Sequence, residues 1–179
     1  KLTSNDCDKI IRMAKKNLKD LTVVSGGVED NLDLKSRTGE GCWLYDDKNK
    51  FIKKLKTITK ELTGLPIENQ ESPNVIHYEK GGFYDNHMDW FHDISTIDSK
   101  NAGQRLYTVM FYLNDEYTGG ETNFPTLNKK IKGGKGQVVI WKNTDDNGNG
   151  LEEVLHAGLP VKSGEKWICT IWVRENKFR

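Results

Sequence analysis

Residues 84–92 read YDNHMDWFH, with two histidines, two aspartates and three aromatic residues in nine positions. If the chain is extended there, His87 and Asp89 project to the same side, because strand side chains alternate, and both can reach one ion. An isolated HxD is also what a polar turn with a chance histidine would contain, so a third ligand has to decide. The sequence holds four histidines. His92 follows His87 by five positions, which suits neither one strand face nor the i, i+4 face of a helix. His77 sits beside Tyr78 in an apolar run and reads as a hydrogen-bonded core or edge histidine. That leaves His156 in LHAGLPV, far away in sequence and just before a turn punctuated by Gly and Pro. Two histidines and one carboxylate on neighbouring strands would form the facial triad of non-haem Fe(II) oxygenases, with three coordination positions open.

In such oxygenases a 2-oxoacid fills two of the open positions and O₂ the third, so a cation should wait nearby for the far carboxylate. The last apolar run, KWICTIWVR, supplies one. Read with period two, Lys166, Ile168, Thr170, Trp172 and Arg174 share one face, and Trp167, Cys169, Ile171 and Val173 the other. Lys166 and Thr170 could then hold one anionic ligand, the ammonium on the carboxylate and the hydroxyl assisting. The competing reading of Lys166 is a surface lysine at the start of a strand.

These residues need a scaffold. With 179 residues, 35% hydrophobic and 30% charged, the chain is long enough for one sizeable core, and one domain over 1–179 is expected. Ser4, Asn5 and Asp6 are candidate caps for a first helix that places Ile10, Ile11, Ala14, Leu18 and Leu21 on one face. A second helix is expected from Asp46 or Asp47, burying Phe51, Ile52, Leu55, Ile58 and Leu62 and stopping at Gly64. Between them SGGVEDNLDLKSRTGEG reads as a polar segment. From about residue 74 the texture changes to the runs NVIHY, QRLYTVMFYLN, QVVIW and KWICTIWVR, rich in β-branched and aromatic residues. The pattern predicts an α+β fold, a helical part over about 1–65 bracing a jelly-roll part over about 74–175.

Several classes are disfavoured. A net charge of +1 offers no field that would recruit nucleic acid. No apolar run approaches the length of a membrane span, and KLTSNDCDKI lacks the order of a signal peptide, although a start at Lys1 leaves room for an upstream segment. Cys7, Cys42 and Cys169 read as buried free thiols, with a Cys7–Cys42 bridge as the alternative. DDNGNGLEEVLH imitates a calcium loop but has His156 where a bidentate Glu is required. The basic run KNKFIKKLK reads as a solvated helix face.

At a larger scale the chain resembles the prolyl 4-hydroxylases, a branch of the Fe(II)- and 2-oxoglutarate-dependent dioxygenases. YEKGGFYDNHMDWF is similar to the family's Tyr-x-x-Gly lead-in to His-x-Asp, RLYTVMFYLNDEYTGGETNFP to its central strand pair and turn, and LHAGLPVKSGEKWICTIWVRE to its closing segment. KSRTGEGCWL and LTGLPIENQES resemble upstream segments. His156 precedes Lys166 by ten positions, the interval the family keeps between its distal histidine and its 2-oxoglutarate lysine.

The resemblance implies iron ligands at His87, Asp89 and His156, and a bridge from Lys166 to the 5-carboxylate of 2-oxoglutarate, with Tyr78 and Thr170 adding hydrogen bonds. It assigns peptide contacts to Tyr84, Arg105 and Trp172. It implies hydroxylation of peptidyl proline at C4 with O₂, coupled to decarboxylation of 2-oxoglutarate to succinate, with ascorbate as reductant. A related oxygenase acting on another side chain such as lysine, and a non-catalytic jelly-roll binding module, are the alternatives; the lysine anchor and intact triad argue against them. The partner expected is a proline-containing peptide or protein. The compartment would be cytoplasmic for a microbial or viral source, or the endoplasmic reticulum for a eukaryotic one with an upstream signal. HDISTIDSKNAGQ, residues 92–104, has the length of a lid.

Overall fold

The computed structural model describes residues 1–21, 23–25, 28–30, 36–96 and 100–178. In chain order these form α1 (Ser4–Ala14), β1 (Lys19–Asp20), β2 (Val23–Ser25), β3 (Val28–Asp30), β4 (Glu40–Trp43), α2 (Lys50–Thr63), β5 (Asn74–Tyr78), β6 (Tyr84–His87) and β7 (Arg105–Tyr112). There follow β8 (Thr118–Gly119), β9 (Thr122–Phe124), β10 (Lys129–Ile131), β11 (Val138–Lys142), β12 (His156–Gly158), β13 (Val161–Ser163) and β14 (Lys166–Arg174).

Both expected helices form, with different ends. Thr3 caps α1 in a reciprocal box with Asp6: the Asp6 N–H donates to Thr3 Oγ1 at 3.2 Å and the Thr3 N–H to Asp6 Oδ2 at 2.8 Å. The helix stops at Ala14, short of Leu18 and Leu21, because the chain turns there to pair Lys19 and Asp20 with β4. The start of α2 lies not at Asp46 or Asp47 but at Lys50, since Asn49 Oδ1 accepts the Phe51 N–H at 2.9 Å. Asp47 instead pairs with Lys56 at 2.6 Å. The end is at Gly64 in the left-handed conformation (φ 72°), as its residue type requires. Leu62, expected inside, is 43% exposed.

The first third is less helical than its sequence suggests. Its β1 and β4 join a six-stranded sheet ordered β1-β4-β5-β14-β7-β11, and β3, inside the supposed polar segment, pairs with β2 at its leading edge. Residues 26–27 and 31–35 of that segment lie outside the described residues. A four-stranded sheet, β10-β9-β12-β6, faces the larger one. All pairings within both sheets are antiparallel.

The pleat of β14 separates two environments. Trp167, Cys169 and Ile171 join Ile10 of α1 and Ile52 and Leu55 of α2 in one core. Ile168, on the other face, belongs to a second cluster with Ile76, Tyr78 and Tyr112 between the sheets. The amphipathic helices thus cover one face of the large sheet and leave the other to the small sheet. Among the described residues, no helix is long and apolar enough to cross a membrane.

The three cysteines are free and buried in the helix-side core. Cys42 and Cys169 both register with Val75, so β5 lies between them and separates their Cα atoms by two strand spacings, about 9.6 Å, beyond disulfide reach. Burial pushes the Cys7 thiol up to about 11 and drives Cys169 higher still. We expect a thiol reagent at neutral pH to label none of the three in the native protein within minutes and all three in denaturant; rapid native labelling would contradict this packing.

Candidate active site

Strand pairing brings two distant histidines together. His87 ends β6, His156 begins β12, and the two are register partners. Their rings lie 4.2 Å apart. Asp89 follows just beyond β6, and ligand atoms of all three residues lie within 4.8 Å of one another. Each histidine is oriented by a backbone carbonyl: Nδ1 of His87 meets Asp85 O at 2.8 Å and Nδ1 of His156 meets Val154 O at 2.9 Å. A carbonyl only accepts, so each Nδ1 carries the proton and each Nε2 presents a lone pair. Those Nε2 atoms face Asp89, at 3.7 Å from Oδ1 and 3.6 Å from Oδ2.

Lone pairs directed at a carboxylate repel unless a cation lies among them, so this donor set fits a divalent metal. Two imidazoles and one carboxylate suit Fe(II), with positions left for other ligands. The electrostatics agree. Burial, assisted by His156, pushes the His87 imidazole down to about 3, so it is neutral at physiological pH. Burial alone would raise the Asp89 carboxyl, but His156, His87 and Arg105 together hold it below its ordinary value, ionised. Thr108 on β7 donates to Asp89 Oδ2 at 2.7 Å and accepts from Asn143 Nδ2 at 2.8 Å, an outer layer of support.

The surrounding rings fix the histidine planes. Tyr84 stacks on His87 at 3.6 Å and 18°, Arg37 lies over Tyr84 at 4.2 Å, and Trp141 meets His156 edge-on at 4.9 Å. The cleft holding the cluster has a volume of about 1560 Å³ and reaches the inward face of β14. There Lys166 is 2% exposed, lies in register with Tyr78, and donates to Gly120 O at 2.7 Å. Burial pushes its ammonium down to about 8. No carboxylate of the described residues lies within ion-pair distance of it. Beyond Ile168, Thr170 stands on the same face in register with Asn74, with Trp172 after it.

Every sequence-predicted site residue therefore lines one cleft. Arg105 differs in detail from a free peptide-binding cation. Its fork is engaged by Glu71 at 2.7 and 2.8 Å, its Nη1 reaches Asp89 O at 3.4 Å, and its plane lies 3.9 Å over Trp172. Arg174 also binds Glu71, at 3.0 Å. The sequence reading missed Glu71, Thr108, Asn143 and Arg37, whose types are ordinary and whose spacing from the histidines carries no period.

The discarded residues stay out of the metal-ligand cluster, although His92 lines the cleft. His92 is exposed and packs on Trp90, while His77 stacks on Trp167 with Glu40 and Glu165 on its two nitrogens. In the calcium-like loop Asp145 is consumed by its own turn, accepting from Asn147 and Asn149. Within the expected lid, Ile94–Thr96 and Lys100–Ala102 form short 3₁₀ turns, and residues 97–99 lie outside the described residues.

Comparison with known proteins agrees with this geometry. The family model described as the 2OG-Fe(II) oxygenase superfamily matches residues 73–174. A protein of Acanthamoeba polyphaga mimivirus assigned to the prolyl 4-hydroxylases is 35% identical over 176 residues, covering 96% of this chain and 70% of the relative. Prolyl 4-hydroxylase 5 of Arabidopsis thaliana is 31% identical, covering 99% and 67%. The chain belongs to the prolyl 4-hydroxylase branch of the 2OG-Fe(II) oxygenases. The viral collagen prolyl hydroxylase of Paramecium Bursaria Chlorella virus-1, solved as a 2OG complex, superposes with TM-score 0.76 at 34% identity, covering 97% of this chain and 91% of that one. A Pseudomonas putida prolyl-4-hydroxylase shares the fold, with TM-score 0.67 at 17% identity and 97% and 88% coverage. The expected α+β jelly roll is therefore the fold of this prolyl 4-hydroxylase-like enzyme, and Fe(II) and 2-oxoglutarate are its cofactor and co-substrate.

Replacing Thr108 by Val should weaken Fe(II) binding roughly 10- to 100-fold without unfolding the protein, because Asp89 loses the donor that orients it. Metal titration followed spectroscopically checks this, and unchanged affinity would remove Thr108 from the site.

Proposed function

We propose that residues 1–179 act as one catalytic unit that hydroxylates peptidyl proline at C4, with His87, Asp89 and His156 holding Fe(II). The observation that carries this reading is the joint presence, in one cleft, of the His-Asp-His cluster and a buried lysine with no carboxylate among the described residues within ion-pair distance. Burying an ammonium with no carboxylate at contact distance is costly, the more distant Glu121 offsetting burial only in part, and the 5-carboxylate of 2-oxoglutarate would offset that cost. Tyr78, register partner of Lys166, offers its hydroxyl to the same carboxylate, and Thr170 a second hydrogen bond further along the strand. When bound, the iron supplies activation of O₂, the step no side chain can perform, with ascorbate as the external reductant.

The remaining work falls to the chain. The Nδ1 carbonyl bonds keep both imidazoles aimed, burial keeps His87 neutral, and Thr108 and Arg105 help keep Asp89 ionised. Trp172 lines the cleft and offers an aromatic face suited to a proline ring. Arg105, clamped by Glu71, stiffens that face from behind, and Tyr84 walls the opposite side beside His87. The substrate is thus held by rigid rings around the metal position, which favours one reacting carbon over its neighbours.

Succinate release from 2-oxoglutarate should be stimulated by proline-containing peptides, with one oxygen gained on proline by mass spectrometry. Asp89→Ala should abolish it together with iron binding. No turnover with collagen-like, proline-rich or single-proline peptides, combined with intact iron binding in that variant, would overturn the assignment.

The Lys166 ammonium, at about 8 in the free protein, also sets a pH dependence. Below that pH the charged form binds the carboxylate; above it the proton must be restored. The KM for 2-oxoglutarate should therefore stay flat up to about pH 8 and then rise roughly tenfold per pH unit. A flat profile to pH 10 would show that Lys166 does not hold the anion.

A further inference from the structure

The cleft does not end at the catalytic cluster. It continues over Trp43 of β4 toward the edge of the large sheet, where its lining changes to Lys9, Arg12, Met13 and Lys16 from α1 and its end, and to Lys19 of β1. Lys9 and Arg12 fall on one face of α1, and Lys16 follows just beyond its end. Lys9, Arg12, Lys16 and Lys19 are all exposed, and none makes an ion pair with a carboxylate among the described residues. Two acids of α1 and one just before α2 are already engaged: Asp6 by Lys54, Asp8 by Lys135 and Asp47 by Lys56. Asp20 and Asp46 line the same stretch, against four cations.

Between this stripe and the catalytic cluster the path is aromatic. Trp43 lies 5.9 Å from Trp172, and Tyr45, 61% exposed, lines the cleft beyond it. A chain seated over Trp172 and Trp43 therefore meets rings first and positive charge next.

We propose that this extension is a substrate subsite, and that the enzyme prefers proline peptides carrying acidic residues at a distance from the hydroxylated proline. The inference rests on the prolyl hydroxylation proposed above and deepens it by naming the chemistry of the flanking sequence. The distance follows from the sheet. β1 lies three strand spacings from β14, about 14 Å. An extended peptide covers that in about four or five residues. Carboxylates at that separation would reach Lys19, beside which Arg12 and Lys16 line the same partly solvated groove, where attraction acts mainly on association and is screened by salt.

The test uses single-proline peptides with Glu-Glu four and five positions before or after the proline, each paired with a Gln-Gln counterpart. At low salt, one of the two Glu peptides should show a KM at least fivefold below its Gln partner with unchanged kcat, and the gap should close by 0.5 M salt. The Arg12→Glu/Lys16→Glu variant should abolish or invert the gap, whereas Lys129→Glu/Lys130→Glu, an equal charge change on exposed β10, should preserve it. Equal KM values for Glu and Gln peptides, or equal losses in both variants, would overturn the acidic subsite. Hydroxylation of the Gln peptides reads the underlying reaction separately, so its absence would count against prolyl hydroxylation itself.

Discussion

The register of β12 against β6 is the constraint on which the active site depends. It sets His156 directly opposite His87, and the two Nδ1 carbonyl bonds turn both Nε2 lone pairs toward Asp89. The arrangement is electrostatically frustrated as bare protein, since three electron-rich groups converge. It persists because each group is separately anchored: the histidines by backbone and ring stacking, the aspartate by Thr108 and the charge of Arg105. The fold thus bears in advance the reorganisation that metal binding would otherwise require.

The large sheet supplies the complementary half. Its outward face is neutralised by α1 and α2, so the inward face of β14 can carry polar residues into a closed space. Lys166, Thr170 and Trp172 form a line along that face, with Arg105 stacked on its far end and Glu71 joining Arg105 to Arg174. A buried acid shared by two arginines is rigid because releasing any one member would strand a charge.

Much of this was legible in the sequence, for identifiable reasons. Period two in KWICTIWVR sorted Lys166 and Thr170 from Trp167 and Cys169, and the structure separates them in the same way. The HxD spacing and the scarcity of histidine singled out the cluster. Less was legible where long-range pairing overrides local pattern. Leu18 and Leu21 continue the apolar period of α1, yet the chain leaves the helix to extend the sheet at β1. Likewise β3 arises, paired with β2, in a stretch whose composition reads as loop. Thr108 and Asn143 were invisible because their partner, Asp89, is reached only across the fold. Asn49 took the α2 cap from two aspartates by local hydrogen bonding alone, a competition too close for spacing to decide.

The alternation along β14 also acts as insulation. Cys169 lies one residue from Thr170, in a protein whose chemistry consumes oxygen beside an oxidisable metal, yet the pleat turns the sulfur into the helix-side core. A single strand is the whole thickness of the barrier. A slip of one residue in its pairing would exchange Lys166 for a tryptophan on the cleft face and turn a thiol toward the cleft. The hydrogen bonds that β5 and β7 make along both edges of β14 therefore protect the enzyme from its own reaction as much as they hold it together.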